Sequence, residues 1–180
     1  MFVILKKILK KILKKIKNPV QDAKDKGVVI GDHCFIAEKN TMPEEGFLVK
    51  IGNNCGFALG SRILVHGGGR VVRDRNPQFD IFGKVEIGNY VYVGTNSIIL
   101  PGVSLGNNVL VAAGSVVTKS VPDGVVVAGN PAKIVCTIDE FYEKNKKYNT
   151  GTKGLNMAEK KKVLLDLPDE VFVKKDFLKK

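Results

Sequence analysis

Histidine is the side chain best suited to moving protons at neutral pH, and this 180-residue chain has two. His66 follows the aliphatic run Ile63-Leu64-Val65 and precedes Gly67, Gly68 and Gly69. An imidazole there can take a proton from a weak nucleophile and return it to a leaving group. A side chain that only supports the glycine-rich turn is the alternative, and the residues alone leave it open. His33 lies inside a regular repeat at an outward-facing position, where a structural surface role is the better reading. Cys34, Cys55 and Cys136 have no metal-type spacing and no CxxC occurs, so no metal is expected. Cys34 and Cys55 fall at positions that want small core residues.

What must position His66 is a six-residue period. Ile87, Val93, Ile99, Leu105, Val111 and Val117 are all aliphatic and six apart. The residue after each is usually Gly or Ala, and the fifth position is small or β-branched: Val91, Ser97, Val103, Val109, Ser115. That period fits neither an amphipathic helix nor a simple hairpin sheet. It fits a parallel β-helix in which three hexapeptides make one triangular coil, with aliphatic columns stacked inward. Glycine at the second position is expected to supply the positive φ of each corner. Earlier pieces of the repeat begin at Ile30, Ile36, Ile51, Phe57 and Ile63. Ile30 and Ile36 are out of phase with Ile51, so residues 42–50 are expected to hold a loop or irregular turn. Residues 67–80 fit the period poorly and read as an excursion. Insertions in solenoids map to loops on one face, often the binding face.

With these repeats, the segment Gly114-Ser115-Val116-Val117-Thr118-Lys119-Ser120-Val121-Pro122 and the ending Gly129-Asn130-Pro131-Ala132-Lys133, residues 28–138 resemble the hexapeptide-repeat acyltransferases. Within them the chain is most similar to the maltose, galactoside and polysaccharide O-acetyltransferases. The resemblance implies an all-β core wound as a left-handed parallel β-helix. It also implies a homotrimer with active sites between neighbouring subunits, acetyl-CoA as co-substrate, and a sugar or glycan acceptor. The implied activity is O-acetylation of a sugar hydroxyl in cell-surface polysaccharide or glycolipid synthesis. N-acetylation of an amino nucleotide-sugar and a noncatalytic β-helix assembly protein are the alternatives.

Carried over residue by residue, His66 becomes the general base and Gly94-Thr95 the stretch that donates to the oxyanion, with Thr95 catalytic. Gly94, Ala113, Thr118, Lys119 and Lys133 become coenzyme contacts. Asp74, Asp80 and Glu86 are candidates to orient His66, with nothing to choose among them. The chain departs from the family in four places. Cys136 stands where some relatives carry a second basic residue. The N-terminal domain of the sugar-acetylating relatives is replaced by a short lysine-rich segment. The asparagine-rich signature before the histidine is replaced by Phe57-Ala58-Leu59-Gly60-Ser61-Arg62. Arg70, Arg73 and Arg75 crowd the excursion, either to bind an anionic acceptor or as a solvated loop.

The net charge of +11 is uneven. Residues 1–21 hold seven Lys and no acid, residues 137–180 carry +3, and residues 22–136 carry only +1. With a near-neutral core and no nucleic-acid motif, no nucleic-acid partner is expected. In residues 1–17 Leu5, Ile8, Leu9, Ile12, Leu13 and Ile16 share one helical face, with lysines opposite. Asn18-Pro19 breaks that helix. The stretch is too short and charged to span a bilayer, and it lacks a signal-peptide pattern. It is expected to lie on an anionic membrane surface or to pack on the protein. The expected location is cytoplasmic, peripheral to the inner membrane face. The chain thus divides into a basic amphipathic helix (1–21), a β-helix domain (22–138) and a helical tail (139–180), whose default role is to cap an open coil end.

Overall fold

The computed structural model describes residues 18–178. The amphipathic helix expected over residues 1–17 lies outside the described residues. The chain divides into two compact units, Met1–Ile138 and Asp139–Lys180.

In the first unit a short helix, Pro19–Asp25, starts where the Asn18 side chain accepts from the Val20 amide at 3.0 Å. Strands of two to six residues follow, in three sheets that form the faces of a parallel β-helix. The first face stacks Val29–Ile30, Val49–Ile51, Val85–Ile87 and Ser104–Leu105. The second stacks Phe35–Ile36, Gly56–Phe57, Tyr92–Val93, Leu110–Val111 and Val125–Gly129. It ends in an antiparallel hairpin with Ala132–Thr137. The third stacks Arg62–Ile63, Ile98–Ile99 and Val116–Val117. In the regular part, partners lie eighteen residues apart: Ile87 with Leu105, Val93 with Val111, Ile99 with Val117. Three hexapeptides therefore make one coil.

The inward columns are the ones the period predicts. Phe57, Val93, Ile99 and Val111 are fully buried, as are the fifth-position residues Ser97 and Ser115. The corners after the first face hold Cys55, Val91 and Val109 inside, and those after the second hold Ser61, Ser97 and Ser115. The serines fit there because each hydroxyl donates to a corner carbonyl: Ser61 to Ala58 at 2.7 Å, Ser97 and Ser115 to Ala112 at 2.8 and 2.7 Å. A buried hydroxyl without such a partner would cost stability.

The second-position glycines do a different job from the one expected. Gly31, Gly52, Gly88 and Gly106 take no positive φ. They are needed because the next coil comes too close for a side chain. A Cβ on Gly88 would lie 2.7 Å from the Gly106 carbonyl oxygen, and one on Gly106 would lie 2.1 Å from Asp123 Oδ1. The left-handed residues come two positions later: His33, Asn54, Tyr90 and Asn108, with φ of 53–57°. Between them runs a ladder of side-chain amides. Asn53 Oδ1 accepts from the Asp32 amide, Asn89 Oδ1 from Asn53 and Asn107 Oδ1 from Asn89, at 2.8–2.9 Å. Asp123 ends the ladder, its carboxylate accepting the Asn107 amide at 2.8 Å and the Asn107 side chain at 3.1 Å. Those two bonds hold the Asp123 carboxyl below the ordinary carboxylate pKa.

Two segments break the period. The first lies between Ile36 and Val49 and contains the 3-10 turns Lys39–Thr41 and Gly46–Leu48. Lys26 pins it. Its ammonium donates to the carbonyls of Lys39 (3.4 Å) and Met42 (3.2 Å), and pairs with Asp22 (3.4 Å) and Glu44 (3.1 Å). The second is the excursion after Ile63. It closes on itself: His66 and Phe82 form an antiparallel bridge, and the Gly83 amide donates to the Val65 carbonyl at 2.8 Å. Inside it, Gly68 at φ 77° starts the 3-10 turn Gly69–Val72.

The second unit contains the helices Ile138–Asn145, which begins at its boundary, and Met157–Asp166. The latter is started by a capping box between Asn156 and Glu159. Among the described residues no helix is long and apolar enough to cross a membrane.

Close coil stacking makes a paired prediction. Gly106→Ala forces backbone of the next coil to move and lowers stability by about 1–3 kcal/mol. Gly67→Ala has open space around its Cβ and normal φ, so it stays within about 0.5 kcal/mol. Thermal or denaturant unfolding of both variants checks this; equal losses contradict it. The Asp123 cap adds a pH dependence. A carboxyl whose folded pKa is depressed contributes stability that is present above its unfolded pKa and lost as pH falls through the folded one. Asp123→Ala is therefore less stable than wild type near neutrality, and the gap closes on acidification through and below the usual carboxylate range. A gap that stays constant through that range contradicts the assignment.

Candidate active site

His66 stands where the third face ends and the excursion begins, its backbone fixed by the bridge to Phe82. Its imidazole is half exposed. Glu45 Oε1 lies 3.5 Å from Nε2, and the Phe82 ring centroid lies 5.1 Å away at a 48° tilt. Beside it is a cleft of about 460 Å³ lined by Leu64, Gly67, Ile81, Phe82, Leu100 and Pro101, with His66 on its wall. The carboxylate near His66 is thus Glu45, from the irregular segment that Lys26 pins. It is none of the three expected candidates. Asp74 is exposed in the excursion, Asp80 faces Arg73 at 3.9 Å, and Glu86 is exposed on the first face. Glu45 falls in a stretch without periodicity, and the only hint of it in the sequence is that this stretch is out of phase. At 3.5 Å the Glu45 carboxylate can pair with the ring when it carries a second proton.

The other expected site residues fall on two edges of the third face. Thr118 and Lys119 are exposed on the edge that His66 occupies, two coils further along, with Pro101 and Gly102 between. Gly94, Thr95 and Ala113 lie on the opposite edge, before Ile98–Ile99 and Val116–Val117. One side of a coil, Asn96 to Gly102, separates the two edges, roughly 15–20 Å at the rise of a strand. One reacting carbon cannot reach both His66 and Thr95 of the same chain. Of the expected oxyanion pair, the Gly94 amide is engaged in the coil ladder, donating to Val111 at 2.8 Å. Thr95 is exposed on its corner, where its carbonyl accepts from Gly114 at 2.8 Å. Lys133 is exposed on the terminal hairpin.

The remaining candidates separate cleanly. His33 is exposed in a left-handed corner, a place set by coil geometry. Burial pushes the Cys55 thiol up to about 11, so it is protonated at neutral pH and a poor nucleophile. Among the described residues no group of His, Cys, Asp and Glu is placed to hold a metal ion. Arg62 pairs with Glu38. Arg70 and Arg75 are exposed, Arg73 donates to the Phe79 carbonyl at 3.2 Å, and none of the three loop arginines lines the His66 cleft.

A family model described as bacterial transferase hexapeptide (six repeats) matches residues 84–119. Protein CapG of Staphylococcus aureus is 43% identical over 143 residues, which cover 78% of this chain and 83% of the relative. The galactoside O-acetyltransferase of Escherichia coli is 32% identical over 124 residues, 68% of this chain and 60% of that protein's length. The structure of AntD, an N-acyltransferase from Bacillus cereus in complex with dTDP and 3-hydroxybutyryl-CoA, superimposes with a TM-score of 0.50 at 21% identity. That match covers 67% of this chain and 80% of AntD, and it shows a shared fold.

Proposed function

This chain belongs to the bacterial hexapeptide-repeat transferases, and we propose that within them it is an acetyl-CoA-dependent O-acetyltransferase of a sugar hydroxyl, with His66 as general base. The observation that carries the reading is a half-exposed imidazole with a carboxylate 3.5 Å from one nitrogen, on the wall of an open cleft. The 32% identity to a galactoside O-acetyltransferase supports the acceptor class. Left-handed winding and threefold assembly belong to the same reading.

Coenzyme A fits the small residues of the far edge. A Cβ on Gly94 would lie 2.6 Å from the Ala113 amide nitrogen, while one on Gly114 would meet nothing within 4 Å. The edge is therefore closely stacked inside and open outside, a flat track for an extended arm. Exposed Lys133, and exposed Lys119 on the His66 edge of the neighbouring copy, suit its phosphates. When bound, the thioester supplies an activated acyl carbon. His66 takes the acceptor's hydroxyl proton as the oxygen bonds to that carbon. The carbon–sulfur bond breaks, and His66 returns the proton to the sulfur. Glu45 stabilises the imidazolium formed between those transfers. Thr95 donates to the carbonyl oxygen as charge develops on it. Because His66 and Thr95 occupy opposite edges, the two come from neighbouring copies of the chain.

A thiol-release assay with a panel of hydroxyl and amino sugars tests the activity. His66→Ala lowers kcat by about 10²- to 10⁴-fold with coenzyme A affinity nearly unchanged. Glu45→Gln lowers kcat less, and His33→Ala is nearly silent. Equal effects of the two histidine variants, or loss of coenzyme binding in His66→Ala, exclude His66 as the base. Faster release with amino sugars than with their hydroxyl counterparts replaces O-acetylation by N-acetylation.

The lysine stripe of residues 6–17 supports docking on an anionic membrane surface, at about 1 kcal/mol per lysine. The full chain should co-sediment with anionic vesicles at low salt, and a chain starting at Asn18 should not. Both chains remaining in the supernatant excludes the membrane role.

A further inference from the structure

Given His66 as the base for a sugar acceptor, a reading on which the identity of that sugar rests, the lining of its cleft specifies more than a hydroxyl. Phe82 is 51% exposed, Ile81 52% and Leu64 38%. Water-facing apolar side chains gathered on one cleft mark a place where a ligand is held. The Phe82 backbone is held in place. It bridges to His66, and the following Gly83 packs so tightly that a Cβ there would lie 2.3 Å from the Gly102 amide nitrogen. The excursion therefore holds the Phe82 backbone in place, with the ring 5.1 Å from the imidazole.

The rest of the wall is Leu64, Ile81, Leu100 and Pro101. Apart from His66 no charged side chain lines the cleft. The loop arginines are outside it, so an acceptor recognised there by an anionic group is disfavoured. Within one chain the coenzyme candidates Gly94, Ala113, Thr118, Lys119 and Lys133 are also outside it; the acceptor is assigned to this wall, and the coenzyme to the edge that the neighbouring copy brings to it. A pyranose that offers a hydroxyl to His66 can lay its C–H face on the Phe82 ring. Its exocyclic carbon then meets the aliphatic wall. A hydroxymethyl group there gives up hydrogen bonds to water with no side-chain donor or acceptor besides His66 to replace them, whereas a methyl group gains contact.

We infer that the acceptor is a 6-deoxyhexopyranose, stacked on Phe82 with its C6 methyl against Leu64, Ile81, Leu100 and Pro101. The test uses two probes that differ only at C6, p-nitrophenyl β-D-fucopyranoside and p-nitrophenyl β-D-galactopyranoside, with acetyl-CoA and thiol release as readout. The 6-deoxy probe is expected to have kcat/KM about 10- to 100-fold higher. Phe82→Ala raises KM for it about tenfold, with the melting temperature and coenzyme A affinity held, and Phe82→Tyr keeps most of the preference. Equal kcat/KM for the two probes overturns the inference. So does a Phe82→Ala variant that loses coenzyme affinity instead of acceptor affinity, or a sugar panel that turns over only with 6-hydroxylated members. Failure of every sugar to raise thiol release above the sugar-free rate overturns the underlying acetyltransferase reading as well.

Discussion

Everything in this molecule depends on how closely one coil can lie on the next. Where position two is glycine on the first face, the backbone of each coil meets the carbonyl and side-chain amide of its neighbour at distances no Cβ would permit. That approach is what lets Asn53, Asn89 and Asn107 reach the amides of the preceding coil. The ladder holds the coils in register, and register decides which residues share an edge. A slip of one residue would turn the aliphatic columns outward and the polar residues inward. The spacing of Lys119 and Ala113 from the coil that ends at His66 is therefore a consequence of stacking.

The proposed chemistry sits where the stacking is interrupted. Regular coils bury their side chains or expose them in repeating rows, and a repeating row offers no unique place. The two irregular segments provide one. The excursion after Ile63 fixes His66 and Phe82 through a backbone bridge at its own base. The segment before Val49 brings Glu45 to the imidazole. That segment has no ladder to hold it, and Lys26 supplies the restraint with two carbonyl bonds and an ion pair to Glu44. Gly46 is part of the same restraint, since a Cβ there would lie 2.7 Å from the Lys26 carbonyl oxygen.

Periodicity made the core legible from residue types alone. The columns through Phe57, Val93, Ile99 and Val111, the small fifth positions and the excursion before Phe82 all follow from a count of six. What the count could not show is anything fixed by contact between coils. The glycines of position two looked like turn residues, and their necessity comes from the carbonyls above them. The left-handed position is the fourth, held by glycine at Gly60, Gly102 and Gly114 but by His33, Asn54, Tyr90, Asn96 and Asn108 elsewhere, so glycine marks only part of it. Glu45 was hidden for a related reason. Its neighbour His66 is twenty-one positions away in the numbering, and the segment between them shares no period with it. The three acids near His66 in sequence or in the next strand were the visible candidates, and chain proximity misled.

The central claim is that the working site is divided. His66 and the acceptor cleft occupy one edge of the third face, and Thr95 and Ala113 the other, so a neighbouring copy must supply what each copy lacks. Subunit mixing tests this most directly. Chains carrying His66→Ala keep an intact coenzyme edge, and chains carrying Ala113→Trp keep an intact base while the exposed indole blocks the coenzyme track. Each alone should be inactive. Co-assembled from equal amounts, they should recover about a quarter of wild-type activity per chain, the share of interfaces that pair an intact His66 with an intact Ala113. Activity no higher than that of the two parents, in assemblies shown to be mixed, would contradict the account and return the whole site to a single chain.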